Sequence, residues 1–537
     1  MACKSLREAK LLFAKNTSGQ AALIFGLAAL PMMAGAGVAI DFSRLATKHT
    51  SLQQATDATA LAIAREATAS TTNAQVLASA QNYITTGYSN RTATITSATI
   101  SSDHSSVCVS AQDNIQLGVM GMFGSSSKVV TTSTCTGIAG HSSYEVALVL
   151  DNSGSMNNGV SGSTKLAALK TAANNFTTTM FSGGLAGKVK LSIVPFSGAV
   201  AVSSTDTANG TASWIDTQGQ SSWHWKTFSG ATAAGFTSRL NIFNKLMGVN
   251  SNWAWAGCFE TQPYPQNVND TAPSTATPDS LYVPYLAPDE VDGKQAYQND
   301  YIDDTPSRGC SGPTPTTDQG LLTRACKYKH PSVTNTSSYG PNGMCVSQPL
   351  LRMASTQSTL TSKINGLSAN GDTNLHEGFM WGWRTISPNA PFSDGRPYDT
   401  SPAATNQKVI VLMTDGFNNW SAAANTWGLS NYEAPGYFTL ANGRMPPGNQ
   451  NITSLAQSRA ALDELTLEAC TNAKAKGIDI YTVGFTVSSD PIDSQGKALL
   501  QNCATDSAHA YIATDATSLA DAFKQIGAGI GKLRIRS

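Results

Sequence analysis

The stretch that decides the fold is EVALVLDNSGSM, residues 145–156. An apolar run from Val146 to Leu150 ends abruptly in Asp151, Ser153 and Ser155, three oxygen-bearing side chains at alternate positions, with Gly154 between the last two. A continuous apolar run of this length reads as a strand buried on both faces. Similar runs follow at KLSIVPF (190–196), KVIVLMTD (408–415), IDIYTVGF (478–485) and AYIA (510–513). Helical patterns near 164–180, 454–476, 495–503 and 517–530 separate them. Apolar strands alternating with helices predict an α/β fold, a doubly wound parallel sheet covered on both faces. In such a sheet, ligands bind outside the carboxyl ends of the strands. Asp151, Ser153 and Ser155 fall there, as does Asp415 after VIVLMT. Thr373, in GDTNLHEGFMWGWR (371–384), directly precedes a further helix. Hydroxyls, carboxylates and water are hard ligands, and a set poor in carboxylates suits Mg²⁺, with Mn²⁺ or Ca²⁺ as alternatives. Each position also has a plainer use: Asp151 and Thr373 as helix caps, Asp415-Gly416 as a turn. Their arrival together at one sheet edge favours a site.

The length of 537 residues exceeds what one core supports. The 35 basic and 35 acidic residues cancel, and the body of the chain carries no basic run, which excludes a field for nucleic acid. Charged residues are only 13%, and Ser, Thr, Asn and Gly take their place, as in exported proteins. Residues 20–40, QAALIFGLAALPMMAGAGVAI, contain no charge and are long enough to span a bilayer. Lys4, Arg7, Lys10 and Lys15 precede them, so the positive-inside rule keeps residues 1–19 in the cytoplasm and sends the rest across the inner membrane, to the periplasm or the cell exterior. A cleaved signal peptide ending at Ala34-Gly35-Ala36 is the competing reading; the apolar run continues past it to Ile40, which favours an uncleaved single-pass anchor.

Residues 41–69 read as a helical stalk, and 70–142 as a small α+β domain with a helix at 72–86 and strands near 93–100, 105–111 and 128–139. The sheet domain, 143–537, carries a Pro-, Asn-, Thr- and Trp-rich insertion at about 200–350, with a poor core of its own, and a second at about 417–452. Of nine cysteines, eight follow the anchor, an even number that suits disulfides in an oxidising compartment. Proximity in sequence suggests Cys108–Cys135 and Cys470–Cys503, with Cys258, Cys310, Cys326 and Cys345 pairing among themselves in an order left open. The acids of PDEVDG (288–293) and NDYIDD (299–304) lack EF-hand spacing and read as solvated loop residues. The tryptophans of SSWHWK (221–226) and SNWAWAG (251–257) read as small-core packing. His376-Glu377 lacks the second His of H-E-x-x-H, and His376 reads as a helix-surface residue. No G-x-S-x-G elbow follows a strand. The chain is expected not to be an enzyme.

Asp151-Asn152-Ser153-Gly154-Ser155, with Thr373 and Asp415 behind it, resembles the metal-ion-dependent adhesion site of the von Willebrand factor A domain. That resemblance implies that Ser153, Ser155 and Thr373 ligate a metal, that Asp151 and Asp415 support it partly through water, and that an open position accepts a carboxylate from a partner protein. SGQAALIFGLAALPMMAGAGVAIDFSR (18–44), LQQATDATALAIA (52–64), WAGCFE (255–260) and the closing 470–504 are similar to TadG-like members of the TadE/TadG pilus-assembly proteins. One departure stands out: Ile24, not Glu, lies five residues after Gly19, which argues against pilin-like cleavage. The implied function is a membrane-anchored, metal-dependent binding component of Flp-type pilus assembly or anchoring, with other pilus-assembly components as partners. The alternative is a surface adhesin for host or matrix ligands.

Overall fold

The computed structural model describes residues 17–67, 71–88, 92–101, 106–123, 126–137, 143–160, 162–182, 185–294, 299–305, 309–334, 339–400, 406–424, 426–441, 443–530 and 535–536. They fall into two compact units, one within 1–141 with 535–536, the other within 142–531.

The first unit is built on one helix, α1 (Thr17–Glu66), whose 50 residues give it a length of about 75 Å. Its two halves differ. Toward its start, Ile24, Phe25, Leu27, Met32, Met33, Ile40 and Phe42 are exposed. Toward its end, Leu52, Ala60, Ile63 and Ala64 are buried against Val76, Ala80 and Ile84 of α2 (Asn73–Gly87) and against Ala98, Val107 and Val109 of the sheet. Between the halves, the Asp41 carboxylate accepts three main-chain N–H bonds, from Gly118 (3.0 Å), Val119 (2.8 Å) and Met120 (2.9 Å), and so pins the 117–123 turn to the helix. The sheet is antiparallel, β1 (Thr94–Ile100), β2 (Ser106–Gln116) and β3 (Ser127–Gly137) in sequence order. Cys108 and Cys135 face each other across β2 and β3 and are bonded. The fourth strand is β10 (Ile535–Arg536), paired with β3. The sequence reading places those residues at the end of the A-type body; the structure adds them to the small sheet.

The second unit holds a six-stranded sheet in the order β9-β8-β7-β4-β5-β6: Ala510–Ala513, Ile478–Phe485, Asn406–Thr414, Ser143–Asp151, Val189–Phe196 and Leu351–Ala354. The first five are mutually parallel; the edge strand β6 is antiparallel, where a wholly parallel sheet was expected. Alternate residues of β4 feed two cores. Val146, Leu148 and Leu150 pack with α3 (Lys165–Met180), α4 (Gln357–Asn365) and α8 (Ala516–Ile530). Ala147 and Val149 pack with α5 (Leu375–Ile386), α6 (Leu455–Ala475) and α7 (Ser494–Cys503). Helices start where capping side chains meet free N–H groups: Thr164 accepts from Ala167 at α3, Ser454 from Gln457 at α6. Cys470–Cys503 ties α6 to α7.

The long insertion is closed by Cys258–Cys345 and Cys310–Cys326. Contrary to the expectation of a poor core, it buries Phe228, Ile242, Phe243, Leu246, Trp253 and Tyr328 in one cluster. Charges are buried as well. Glu260 lies between Arg239 and Arg444, all three nearly inaccessible. Lys327 pairs with Asp289 (2.8 Å) and Asp304 (3.1 Å). Asp289, Glu290, Asp300 and Asp304, expected in solvated loops, are therefore interior residues. α5 lies between the sheet and the insertions and every one of its residues is buried. His376, expected at a helix surface, is interior for that reason, with Nε2 against the Asn267 carbonyl at 2.8 Å.

Candidate functional site at the rim of the sheet

β4 is flanked by β5 on one side and β7 on the other, so connections leave it in opposite directions and a crevice opens at its carboxyl end. Three loops meet there: the one after β4, carrying Asp151, Ser153 and Ser155; the one before α5, carrying Thr373; and the one after β7, carrying Asp415. Main-chain hydrogen bonds lace them together. Gly154 N donates to Gly371 O (2.8 Å), Asn370 N to Asn152 O (2.9 Å), and Asn419 N to Thr373 O (2.8 Å). Gly154 lets the two loops approach closely: a Cβ there would stand 3.3 Å from Gly371 O, a tight contact.

The side chains form a continuous chain of oxygens. Ser153 Oγ and Ser155 Oγ are 3.1 Å apart, and Ser155 Oγ donates to Asp415 Oδ1 at 2.8 Å. Asp151, fully buried, accepts from Ser153 N (2.8 Å) on Oδ1 and from Thr414 Oγ1 (2.6 Å) on Oδ2. Neither capping use describes Asp151 or Thr373, while Asp415 and Gly416 do bend the chain after β7. The cap of α5 is Asn374, which accepts from Glu377 N (3.1 Å), not Thr373. The short helix Gly154–Asn157 has no side-chain cap, and Asp151 spans two strands instead.

Three residues here escaped the sequence reading: Thr414, Lys165 and Asp490. Thr414 orients Asp151. Lys165, at the first turn of α3, is fully buried and reaches Asp415 Oδ2 (2.8 Å) and Asp490 Oδ2 (2.6 Å). Asp415 is thereby held with one oxygen on Ser155 and the other on an ammonium. A lysine opening an amphipathic helix gives no sign of this, because its neighbours come from 250 and 325 residues away. Burial, and then the charge of Asp415, pushes the Asp151 carboxyl well above the usual carboxylate range. Burial likewise raises Asp415, partly offset by Lys165. Two carboxylates that resist ionisation next to the hydroxyls of Ser153 and Ser155 are a donor set that a small hard cation fits: it would relieve their repulsion and use the hydroxyl lone pairs. Ser153, Ser155 and Thr373 would hold it, and Asp151 and Asp415 would supply the countercharge.

The von Willebrand factor type A family matches residues 146–217, the stretch of this sheet that holds β4, α3 and β5. The N-terminal region matches a different family, the TadE/G-like Flp pilus-assembly proteins, over residues 19–66. This chain therefore joins a TadE/G-like segment to a von Willebrand factor A domain, as the TadG-like resemblance implies. Comparison with curated proteins gave no match. Among solved structures, the pilus adhesin SpaC from Lactobacillus rhamnosus GG is 14% identical, with 82% of this chain and 35% of that one covered and a TM-score of 0.32. This chain thus spans about a third of SpaC's length. The vWF domain of the type V pili tip protein Mfa5 from Porphyromonas gingivalis is 13% identical over 73% of this chain and 95% of that one, TM-score 0.32. The PilB minor pilin from Streptococcus sanguinis is 12% identical over 82% and 78%, TM-score 0.32.

Proposed function

We propose that this protein is a membrane-anchored, metal-dependent binding component of Flp-type pilus assembly or anchoring. The observation that carries the reading is the junction of Ser153, Ser155 and Asp415 at the crevice beside β4, with Thr373 brought to it by main-chain bonds. Hydroxyl ligands bring no charge, so a bound Mg²⁺ would stay net positive and attract a carboxylate from outside. The protein's own residues hold the oxygens in place: Thr414 fixes Asp151, Lys165 fixes Asp415, and the laced loops fix the hydroxyls. The rim leaves Gly154, Ser155, Gly371, Asp372 and Gly416 partly accessible, so an acidic side chain of a partner can approach. The reading is of binding, not catalysis: His376 is turned into the interior and stands away from any accessible reacting position.

Anchoring follows from α1. It is long and apolar enough to cross a membrane, its first half exposes large apolar side chains, and basic residues precede it. The body then lies in the periplasm or outside the cell. The test is to express Asp151→Ala in place of the native chain, count pili per cell, and co-purify pilus components with and without a chelator. The reading expects loss of pili and loss of Mg²⁺-dependent co-purification. Normal pili with lost attachment to surfaces would favour the adhesin instead, and no change in either would refute a role for the rim.

A further inference from the structure

The turn between β2 and β3 has no part in the site at the sheet rim, and it is built against the apolar half of α1. Residues 117–123, LGVMGMF, carry no charged, hydroxyl or amide side chain. Asn114 and Gln116 stand before them, and Ser125, Ser126, Ser127 and Lys128 after them. A turn facing water draws on Asn, Asp, Ser and Gly instead. This one meets α1 inside the charge-free stretch 20–40. Among the described residues of that stretch Gly37 alone is buried, and a Cβ on it would collide with Val119 Cγ2. Gly37 lies three residues before Ile40, so Val119 reaches about 4.5 Å inside the end of the apolar stretch at the helical rise.

Asp41 makes that depth possible. A carboxylate at the end of a membrane span is costly unless it is bonded, and N–H groups that leave water need partners within the protein. Each answers the other here. Asp41 is 1% exposed, and its two oxygens take the N–H groups of Gly118, Val119 and Met120. Leu117 N donates to Ser126 O (3.0 Å) and closes the neck of the turn. Val119 and Met120 stay only partly buried, and Val38, Ile40 and Phe42 on the same stretch of helix are exposed. The apolar surface of α1 therefore continues onto the turn. Whatever surrounds the end of the span surrounds the turn too, and for an apolar collar that is the headgroup and acyl boundary of the bilayer.

We propose that residues 118–123, latched to α1 by Asp41, form a second membrane contact that lies in the lipid interface on the side of the body. The proposal rests on the reading of α1 as a membrane anchor. The small α+β unit then stands directly on the bilayer, and 41–69 is no free stalk.

Spin labels test it. The full-length chain carries Cys3→Ser, its other eight cysteines being paired, and is reconstituted in vesicles of phosphatidylethanolamine and phosphatidylglycerol. Single labels are placed through Leu27→Cys in the exposed half of α1, Met120→Cys in the turn, and Ala74→Cys, exposed on α2. Oxygen, which concentrates in lipid, and a water-soluble nickel chelate compete to relax each label. The expected result is oxygen dominance at 27 and 120 and nickel dominance at 74. Adding Asp41→Ala should shift position 120 to nickel dominance and leave 27 unchanged. Should Asp41→Ala fail to fold, Gly37→Leu, which crowds Val119 off the helix, should give the same shift. Oxygen dominance at 27 with nickel dominance at 120 overturns the proposal and leaves the anchor intact. Nickel dominance at both overturns the anchor as well. Oxygen dominance at 120 that survives both Asp41→Ala and Gly37→Leu overturns the latch. Dipolar broadening at 120 that unlabelled chain dilutes away assigns the turn to a second copy, and overturns the lipid contact.

Discussion

The sheet and the long insertion are both interior, yet they are held together by opposite means. Val146 to Leu150 of β4 are wholly buried and wholly apolar, and neighbouring strands repeat that pattern. The insertion instead buries Arg239, Glu260, Asp289 and Lys327, with Arg444 of the second insertion completing the triad around Glu260, and is closed by two disulfides. Apolar burial is non-directional and tolerates small shifts. A buried ion triad tolerates none, because removing one member leaves an uncompensated charge. The sheet is thus a forgiving support for the rim, and the insertion a stiff and brittle cover.

The largest effect is expected where the insertion is most brittle. Glu260→Gln leaves the Arg239 and Arg444 guanidiniums facing each other and should cost about 3–5 kcal/mol, read from guanidinium chloride unfolding. Leu148→Ala in the sheet should cost a similar amount, about 2–5 kcal/mol, but with an apolar partner set that Leu148→Met nearly restores. If Glu260→Gln is neutral, the contrast between the two regions fails.

Next, replacing Cys258 and Cys345 by Ser opens a bond spanning 87 residues and should cost about 4 kcal/mol in the chain-entropy account. Hydrogen exchange should rise within 200–350 while amides of β4 and β7 stay protected. A uniform rise across both would show that the insertion and sheet unfold as one.

A smaller effect depends on pH. Burial raises the Glu290 carboxyl from 4.5 to about 7, with Tyr437 Oη bonded to it at 2.6 Å. A raised folded-state value means more protons bound in the folded chain, so the stabilisation is complete below about pH 4.5 and lost as pH rises through about 7. The loss is about 3 kcal/mol, and Glu290→Gln should flatten it. Smallest of all, Thr164→Ala removes the cap of α3 and should cost about 1 kcal/mol, a change in midpoint with no change in disulfides or exchange pattern.

The sheet could be read from sequence because its signal is local. Five of its six strands announce themselves as short apolar runs, and Asp151, Ser153, Ser155 and Asp415 follow two of them directly; the half-exposed edge strand β6 gave no such signal. Asp151, Ser153, Ser155 and Asp415 needed only the rule that strands end at a common edge; Thr373, which follows no strand, needed the resemblance to the adhesion-site pattern as well. Lys165, Thr414 and Asp490 needed the third dimension. Lys165 opens α3 as an ordinary polar residue, and its two acid partners are distant in sequence. Asp289 and Asp304 looked like loop acids because Lys327, which neutralises them, is 38 and 23 residues away. The interior place of His376 was hidden for a similar reason: His376, Glu377 and Arg384 give α5 the polar side chains of a surface helix, but Asn267, Thr261 and Gln262 of the distant insertion cover them. The insertion lacks any period because no single repeated element buries it.

The central claim is that the oxygens beside β4 form a cation site supported by, and separable from, a folded sheet. Isothermal titration of Mg²⁺ into the purified full-length chain, wild type beside Asp151→Ala and Thr373→Ala, tests it most directly when paired with thermal unfolding. The account predicts that the wild type binds Mg²⁺, that Asp151→Ala binds none and Thr373→Ala at least tenfold more weakly, and that all three unfold cooperatively. Equal Mg²⁺ affinity in the three proteins, or a mutant that no longer folds, would contradict it and make Asp151 a structural tie between β4 and Thr414.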